Sequence, residues 1–324
     1  MRAIRFRRTG GPGVLSLEEV ADPVCGAGDV VVRTHAIGVN YADVHFRRGE
    51  YLEKPMFPDT PGLECAGEVV VVGEGVSLFG TGDRVLVYSR RGAYAERIAA
   101  PAALVYPIPP DLSYEDAASV GVQGLTAMHL LGLAGRLTDG QSVLVHAAAG
   151  GVGSLAVQLA RRRGCRVVGT AGSDAKRDLA RELGADQVVP SRSTDFALGV
   201  LGAAPGGVDL VLEMVGGSRA YEENLSCLAP FGRMIVYGAA GGDVSGTVRA
   251  VRLMSKSLSV AGYSLTHALH DRSLCEGPLQ ELFGLVARKA LRVVRHATWP
   301  LGDAARAHAD LEARQSVGKI VLVP

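Results

Sequence analysis

Residues 143–153 read VLVHAAAGGVG, an apolar run that ends in a cluster of alanines and glycines. Small residues at such a turn let the backbone approach a phosphate. The helix that follows then offers unpaired N–H groups and the positive end of its dipole. The phrase G-x-G-x-x-G needs glycines at 148, 150 and 153, and the chain has Ala148, Gly150 and Gly153 there. The first position tolerates a methyl, while the two glycines that permit close approach and helix packing are kept. Gly151 and Val152 complete the turn, and VGSLAVQLA continues in an amphipathic pattern. A strand before and a helix after make the phrase informative. It predicts a dinucleotide cradle.

The end of the next strand selects the dinucleotide. A site for NAD presents an acid about 20 residues on, which accepts from the ribose 2′-hydroxyl. Here residues 169–177 read GTAGSDAKR, with no acid in the first four. Ser173 and Lys176 suit a 2′-phosphate, which a carboxylate would repel. Asp174 has a structural reason to exist in the first turn of the next helix, and Arg177 reads as a solvent-facing neighbour. The balance predicts NADPH. His146, just before the turn, reads as a hydrogen-bonded core residue. His267, His270, His296 and His308 form no constellation along the chain, and no G-x-S-x-G phrase exists. That argues against a nucleophilic hydrolase.

These residues need two kinds of element to hold them. The first 110 residues are strand-like and rich in turns, as RAIRFRR, DVVVRTHAIGVN, CAGEVVVVG, GDRVLVYS and GAYAERIAA show. They predict a small, partly closed β domain. Helical periodicity begins near residue 113, where Ser113 followed by Asp116 opens a helix. Strands then alternate with helices: SVLVHA, RVVGTA, QVV, VDLVLEMV and RMIVYG are short and apolar. Such runs mark a parallel sheet covered on both faces, so the fold class is α/β with a doubly wound sheet. A helix over about 273–288, the strand RVVRHAT, the helix GDAARAHADLEAR and the strand GKIVLV close the chain.

A chain of 324 residues can bury a large core and is expected to hold two domains. No segment approaches 18 consecutive apolar residues, which predicts no membrane span. The first residues, MRAIRFRRTGGPG, read as a strand with no apolar leader, so the expected setting is cytoplasmic. A net charge of +1 argues against nucleic acid as a partner, and Arg161, Arg162 and Arg163 suit a solvated helix end. Five widely spaced cysteines give neither a disulfide scaffold nor a zinc ribbon.

Eight phrases resemble the medium-chain dehydrogenase/reductase superfamily, and within it the zinc-free NADPH:quinone oxidoreductases. They are GVNYADVHFRRGEY (38–51), PGLECAGEVVVVGEGV (61–76), GDRVLVY (82–88) and GAYAE (92–96). GLTA (124–127), HAAAGGVG (146–153), CLAPFGRMIVYGAA (227–240) and KSLSVAGY (256–263) complete the set, so the resemblance spans the chain. It implies a GroES-like catalytic domain built from both ends, with a Rossmann domain between. The expected boundaries are 1–118, 119–262 and 263–324. It also implies a homodimer.

Catalytic zinc in the alcohol-dehydrogenase relatives is held by a cysteine where this chain has Asn40 and a histidine where it has Leu63. Leucine cannot ligate, and the cysteine-rich structural-zinc lobe is absent, so the resemblance implies no metal. Glu64 is then expected to make local polar contacts. Without a Lewis acid, alcohol oxidation loses its means of polarising oxygen, whereas hydride transfer to an electron-poor acceptor asks less. Three residues are carried over as catalytic candidates. Asn40 matches the family asparagine, Tyr51 a tyrosine lining the substrate slot, and His45 stands where the family often has another tyrosine. A histidine there can deliver a proton or have no chemical duty. Thr126 and Gly238 match cofactor-side residues at the nicotinamide end. Ser191 replaces the family's phosphate-binding tyrosine, and Arg192 follows as a source of charge. The expected activity is NADPH-dependent reduction of a quinone or another small electrophilic acceptor. An enoyl or enone reductase and a non-catalytic NADPH-binding protein are the alternatives.

Overall fold

Continuous and alternating apolar runs sort the strands into sheets of different kinds. The computed structural model describes residues 1–191, 193 and 196–324. In chain order the first elements are β1 (Arg2–Arg5), β2 (Ser16–Glu19), β3 (Asp29–Val39), α1 (Tyr41–Arg48), β4 (Glu64–Val72) and β5 (Arg84–Tyr88). Then come β6 (Arg97–Pro101), β7 (Val105–Pro107) and α2 (Tyr114–His129). The alternating section holds β8 (Ser142–Val145), α3 (Gly151–Arg162), β9 (Arg166–Ala171), α4 (Asp174–Glu182), β10 (Gln187–Pro190) and α5 (Phe196–Ala203). It continues with β11 (Val208–Glu213), α6 (Ser218–Cys227), β12 (Leu228–Val236), α7 (Ala250–Met254) and β13 (Ser259–Gly262). The chain ends with α8 (Leu265–Ala268), α9 (Arg272–Ala287), β14 (Arg295–Pro300), α10 (Ala304–Glu312) and β15 (Lys319–Val323).

Two compact units result, one from 1–125 with 266–324 and the other from 126–265. The first is the GroES-like β-rich unit. Its main sheet runs β14-β15-β3-β4-β5-β7, with β6 also on β3, and β1 pairs β2 separately. Most of these pairs are antiparallel. Val30, Val32, Ile37, Val39, Val87, Ile320 and Leu322 pack into one core. The C-terminal strand β15 pairs antiparallel with β3, setting Ile320 opposite Val39. That register brings Lys319 level with Asn40, across 279 residues of chain.

The second unit is the Rossmann-type sheet, all parallel, in the order β10-β9-β8-β11-β12-β13. The chain starts at β8, moves outward through β9 and β10, then returns to β11 on the other side. The switch point at the carboxyl ends of β8 and β11 is where doubly wound folds take ligands. Leu144, Val168, Val208, Val211 and Met234 form its core. Gly184, with φ of +111°, ends α4 in a conformation that L side chains resist.

Ser113 caps α2 by accepting from Asp116 N at 3.0 Å. The helix runs on into a π turn over Leu130–Ala134. The 21 residues from Tyr114 to Ala134 are the one described helical stretch long and apolar enough to cross a membrane. Most of that stretch is buried inside the protein itself.

Candidate active site

In the Rossmann unit, β8 ends at Val145 and the chain turns through His146 and Ala147, the latter at φ of +47°. Gly150 is the N-cap of α3, and the first intrahelical bond runs from Ser154 N to Gly150 O at 2.8 Å. The amides of Gly151, Val152 and Gly153 therefore precede the helical ladder. Gly150, Gly151 and Val152 are only half-buried. A Cβ on Gly153 would lie 2.2 Å from the Ala147 carbonyl oxygen, and one on Gly150 3.1 Å from it. Neither position allows a larger residue without moving the turn. Ala148 fills the remaining motif position with a buried methyl. The space comes from across the sheet, since a Cβ on Gly169 would approach that methyl to 2.8 Å.

The end of β9 brings Ser191 near the start of α4, where Ser173 and Lys176 lie. Ser191 N donates to Ala171 O at 3.0 Å, and the Ser191 hydroxyl lies 3.6 Å from where a Gly172 Cβ would sit. Ser173 caps α4, its hydroxyl accepting from Lys176 N at 3.4 Å. Lys176 is half-buried, and burial lowers its pKa. Asp174 is turned to solvent and paired with Arg177. Arg177 is thereby engaged locally rather than facing open solvent. Arg192 lies outside the described residues.

Thr126 is buried in α2, and Gly238 follows β12, where a Cβ would stand 3.4 Å from Met214 Cβ. His146 is indeed hydrogen-bonded within the core. Its Nδ1 pairs with the Thr170 hydroxyl at 3.2 Å and its Nε2 with Asn224 Oδ1 at 2.8 Å. Glu213 Oε1 accepts from Val215 N and Gly216 N at 2.6 and 2.8 Å. That holds the turn after β11. Beyond β13, the Tyr263 hydroxyl bonds His129 Nδ1 at 2.7 Å, a pair that sequence reading did not identify.

In the β-rich unit, Asn40 is the N-cap of α1 and almost wholly buried. Its amide N–H donates to Asp43 Oδ2 at 2.8 Å, and its side-chain Nδ2 donates to Gly38 O at 3.1 Å and Glu64 Oε1 at 2.9 Å. Lys319 Nζ donates to Asn40 Oδ1 and to Glu64 Oε1, both at 2.7 Å. The second Glu64 oxygen accepts from Val122 N, inside α2, at 2.7 Å. Gly38 and Gly121 enclose this carboxylate, for a Cβ on either would fall 2.4 or 2.2 Å from its oxygens. His45 Nδ1 lies 3.2 Å from Glu50 Oε2, and its ring meets Tyr41 edge-on. Tyr51 bonds Thr266, and burial pushes its phenol pKa up.

A family model described as "Alcohol dehydrogenase GroES-like domain" matches residues 26–110 of the chain, and one described as "Zinc-binding dehydrogenase" matches 151–276. The quinone oxidoreductase of Pseudomonas aeruginosa is 36% identical, covering 100% of this chain and 99% of that protein. The chain belongs to the medium-chain dehydrogenase/reductase superfamily, and it is closely related to the zinc-independent quinone oxidoreductases. A 2-haloacrylate reductase of Burkholderia sp is 35% identical over 98% of each chain. The Escherichia coli quinone oxidoreductase solved in complex with NADPH superposes with a TM-score of 0.94, at 34% identity and complete coverage of both chains.

The resemblance implies that the zinc ligands of alcohol-dehydrogenase relatives fall at the positions of Asn40 and Leu63. Here the Lys319 ammonium already lies against Asn40 and Glu64, and the amide of Asn40 has both its hydrogens engaged. Among the described residues no group of three or more His, Cys, Asp or Glu side chains is arranged to hold a metal. Glu64 makes local polar contacts, as the sequence suggests. Lys319 was missed because a lysine opening a terminal strand carries no sign of its partner. A charged residue directly before the apolar run IVLV was the only local hint.

Proposed function

We infer that the protein reduces a quinone with NADPH, by direct hydride transfer without a metal ion. The observation that carries the reading is full-length likeness to a quinone oxidoreductase solved with NADPH, combined with a small-residue turn so tight that a methyl on Gly153 would collide with the Ala147 carbonyl. When bound, the nicotinamide supplies hydride, which with one proton converts a quinone to a hydroquinone. The chain's own part is to bind, orient and provide that proton. The amides of Gly151, Val152 and Gly153 receive the pyrophosphate, and Thr126 and Gly238 support the nicotinamide end. Lys176, Ser191 and Arg192 receive the 2′-phosphate. Ser173 caps α4 by accepting from Lys176 N, and the same hydroxyl keeps its own proton to donate to that phosphate.

Asn40, His45 and Tyr51 are the substrate-side residues of this proposal. Asn40 acts chiefly by shaping the wall, since its polar atoms are held by protein partners. His45 is the proton donor to the developing hydroquinolate, with Glu50 orienting its ring. Tyr51 lines the slot. The proposal includes a cytoplasmic setting, which suits five unbridged cysteines. It also includes a homodimer. Among the described residues no strand pairs with the outer edge of β13, and Phe231, Val251 and Met254 are exposed in the same unit.

Relatedness to a 2-haloacrylate reductase favours an activated alkene as the second reading. Steady-state rates with NADPH and 1,4-benzoquinone, 9,10-phenanthrenequinone and a simple enone separate the two. Turnover confined to the quinones supports the first reading, and turnover confined to the enone replaces it. Absence of turnover with every acceptor, alongside tight NADPH binding, leaves a non-catalytic binding protein.

A further inference from the structure

Four buried side chains that the proposed reaction does not use form a hydrogen-bond chain ending at Asn40. Asp43, Arg47, Tyr94 and His308 are all at most 1% exposed. Arg47 Nη1 lies 3.2 Å from His308 Nδ1, His308 Nε2 lies 3.0 Å from the Tyr94 hydroxyl, and that hydroxyl lies 3.1 Å from Asp43 Oδ2. The same Asp43 oxygen accepts the Asn40 amide N–H at 2.8 Å. Arg47 is fixed in turn by Gly10 O at 3.0 Å and by Glu312, which also pairs with Arg48.

Elementary donor chemistry orients every proton in this chain. A guanidinium has no acceptor, so His308 Nδ1 must accept from Arg47. The ring proton therefore sits on Nε2 and donates to the Tyr94 oxygen. Tyr94 spends its own proton on Asp43. Burial and the Arg47 charge push the His308 pKa down to about 3, which keeps the ring neutral. Asp43 also faces Lys319 on β15, Glu64 on β4, and the Tyr51 phenol. Its second oxygen, Oδ1, is buried with no hydrogen-bond partner among the described residues, so the carboxylate depends on Oδ2 for its orientation.

We propose that His308 is a positioning residue: locked by Arg47 as the Nε2–H tautomer, it orients Asp43 through Tyr94 and so fixes Asn40 at the start of α1. The kinetic part rests on the reductase reading above, but the tautomer does not. Nitrogen-15 NMR of the histidine-labelled protein without cofactor is expected to show His308 protonated on Nε2 alone from pH 8 to 5. An Nδ1–H tautomer, or an imidazolium in that range, overturns the proposal whatever the protein reduces.

With any acceptor that the wild type turns over, His308→Gln is expected to stay within threefold in kcat. Its amide can accept from Arg47 and donate to Tyr94. His308→Leu is expected to lose at least tenfold in kcat with little change in the KM for NADPH. A glutamine variant that falls as far as the leucine variant overturns the proposal. Should the leucine variant fail to fold, Tyr94→Phe keeps the ring volume and removes only the hydroxyl. It is expected to move the acid limb of kcat/KM up by about half a pH unit, since Asp43 loses a donor to its charged form. An unmoved limb overturns the proposal.

Discussion

The two units place their polar atoms in opposite ways. The cradle of the Rossmann unit is built from one continuous stretch, 145–176, and works mainly by what its residues lack. Gly150, Gly153 and Gly169 leave room for backbone, and the amides of Gly151, Val152 and Gly153 precede the hydrogen-bond ladder of α3. The nexus of the β-rich unit joins residues 38, 40, 43, 64, 94, 308 and 319, and works by mutual compensation of buried groups. A cradle of this kind fails by steric intrusion. A nexus fails when one partner leaves a charge behind.

Removing the Lys319 cation tests that contrast most severely. Lys319→Met should cost about 3–5 kcal/mol of stability in urea unfolding, because the buried Glu64 carboxylate loses its counter-ion. Adding Glu64→Gln should recover at least half of the loss. Without recovery, the damage comes from packing rather than isolated charge.

Intrusion into the cradle comes next. Gly153→Ala places a methyl 2.2 Å from the Ala147 oxygen, too close to persist. It should lower stability by about 1–3 kcal/mol. NADPH affinity by calorimetry should weaken more than tenfold. Unchanged binding would show that the turn yields freely and would remove the steric reading of the cradle.

Lys176→Ala should raise the Kd for NADPH about tenfold, which is about 1.4 kcal/mol, and leave NADH nearly unaffected. Equal losses for both cofactors would assign Lys176 to the α4 turn instead of the 2′-phosphate. Arg192→Ala, measured alongside, shows whether the residue after Ser191 shares the load.

The smallest effect concerns acid stability. His308 refuses a proton in the folded state until about pH 3, whereas an unfolded histidine takes one near its ordinary value of 6.5. Its contribution is intact above that value and is lost as pH falls from there towards 3. Asp43 acts in the opposite sense. Its carboxyl is pushed up to about 7, mainly by burial. The folded state then keeps a proton that the unfolded chain sheds near 4, and stability falls as pH rises between those values. His308→Gln should therefore lower the acid-unfolding midpoint by a few tenths of a pH unit, read by circular dichroism.

Much of the Rossmann unit is visible in the chain because its determinants are local. VLVHAAAGGVG sets a strand, a turn and a helix start within eleven residues, and β8 and α3 follow it closely. Asp174 is readable in the same way, as a first-turn acid of α4, although only the structure shows Arg177 closing on it. The strand read at RVVRHAT forms later, as Arg295–Pro300, because its partner is β15 and pairing decides its bounds. Substrate-side residues were readable by type and not by state. Asn40 stands in a recognisable phrase, yet its engagement by Gly38, Glu64 and Lys319 has no local signature.

By itself, the order of residues determined the alternation of strand and helix, the small-residue turn and the acid-free run GTAG at the end of β9. Each depends on neighbours within a few turns of chain. Tertiary structure alone decided that a lysine from the last strand lies against Asn40 and Glu64, and that His308 is locked in one tautomer. Burial makes each of those charges and protons costly without its partner, and the pairing of β15 with β3 and the packing of α10 against α1 bring the partners together.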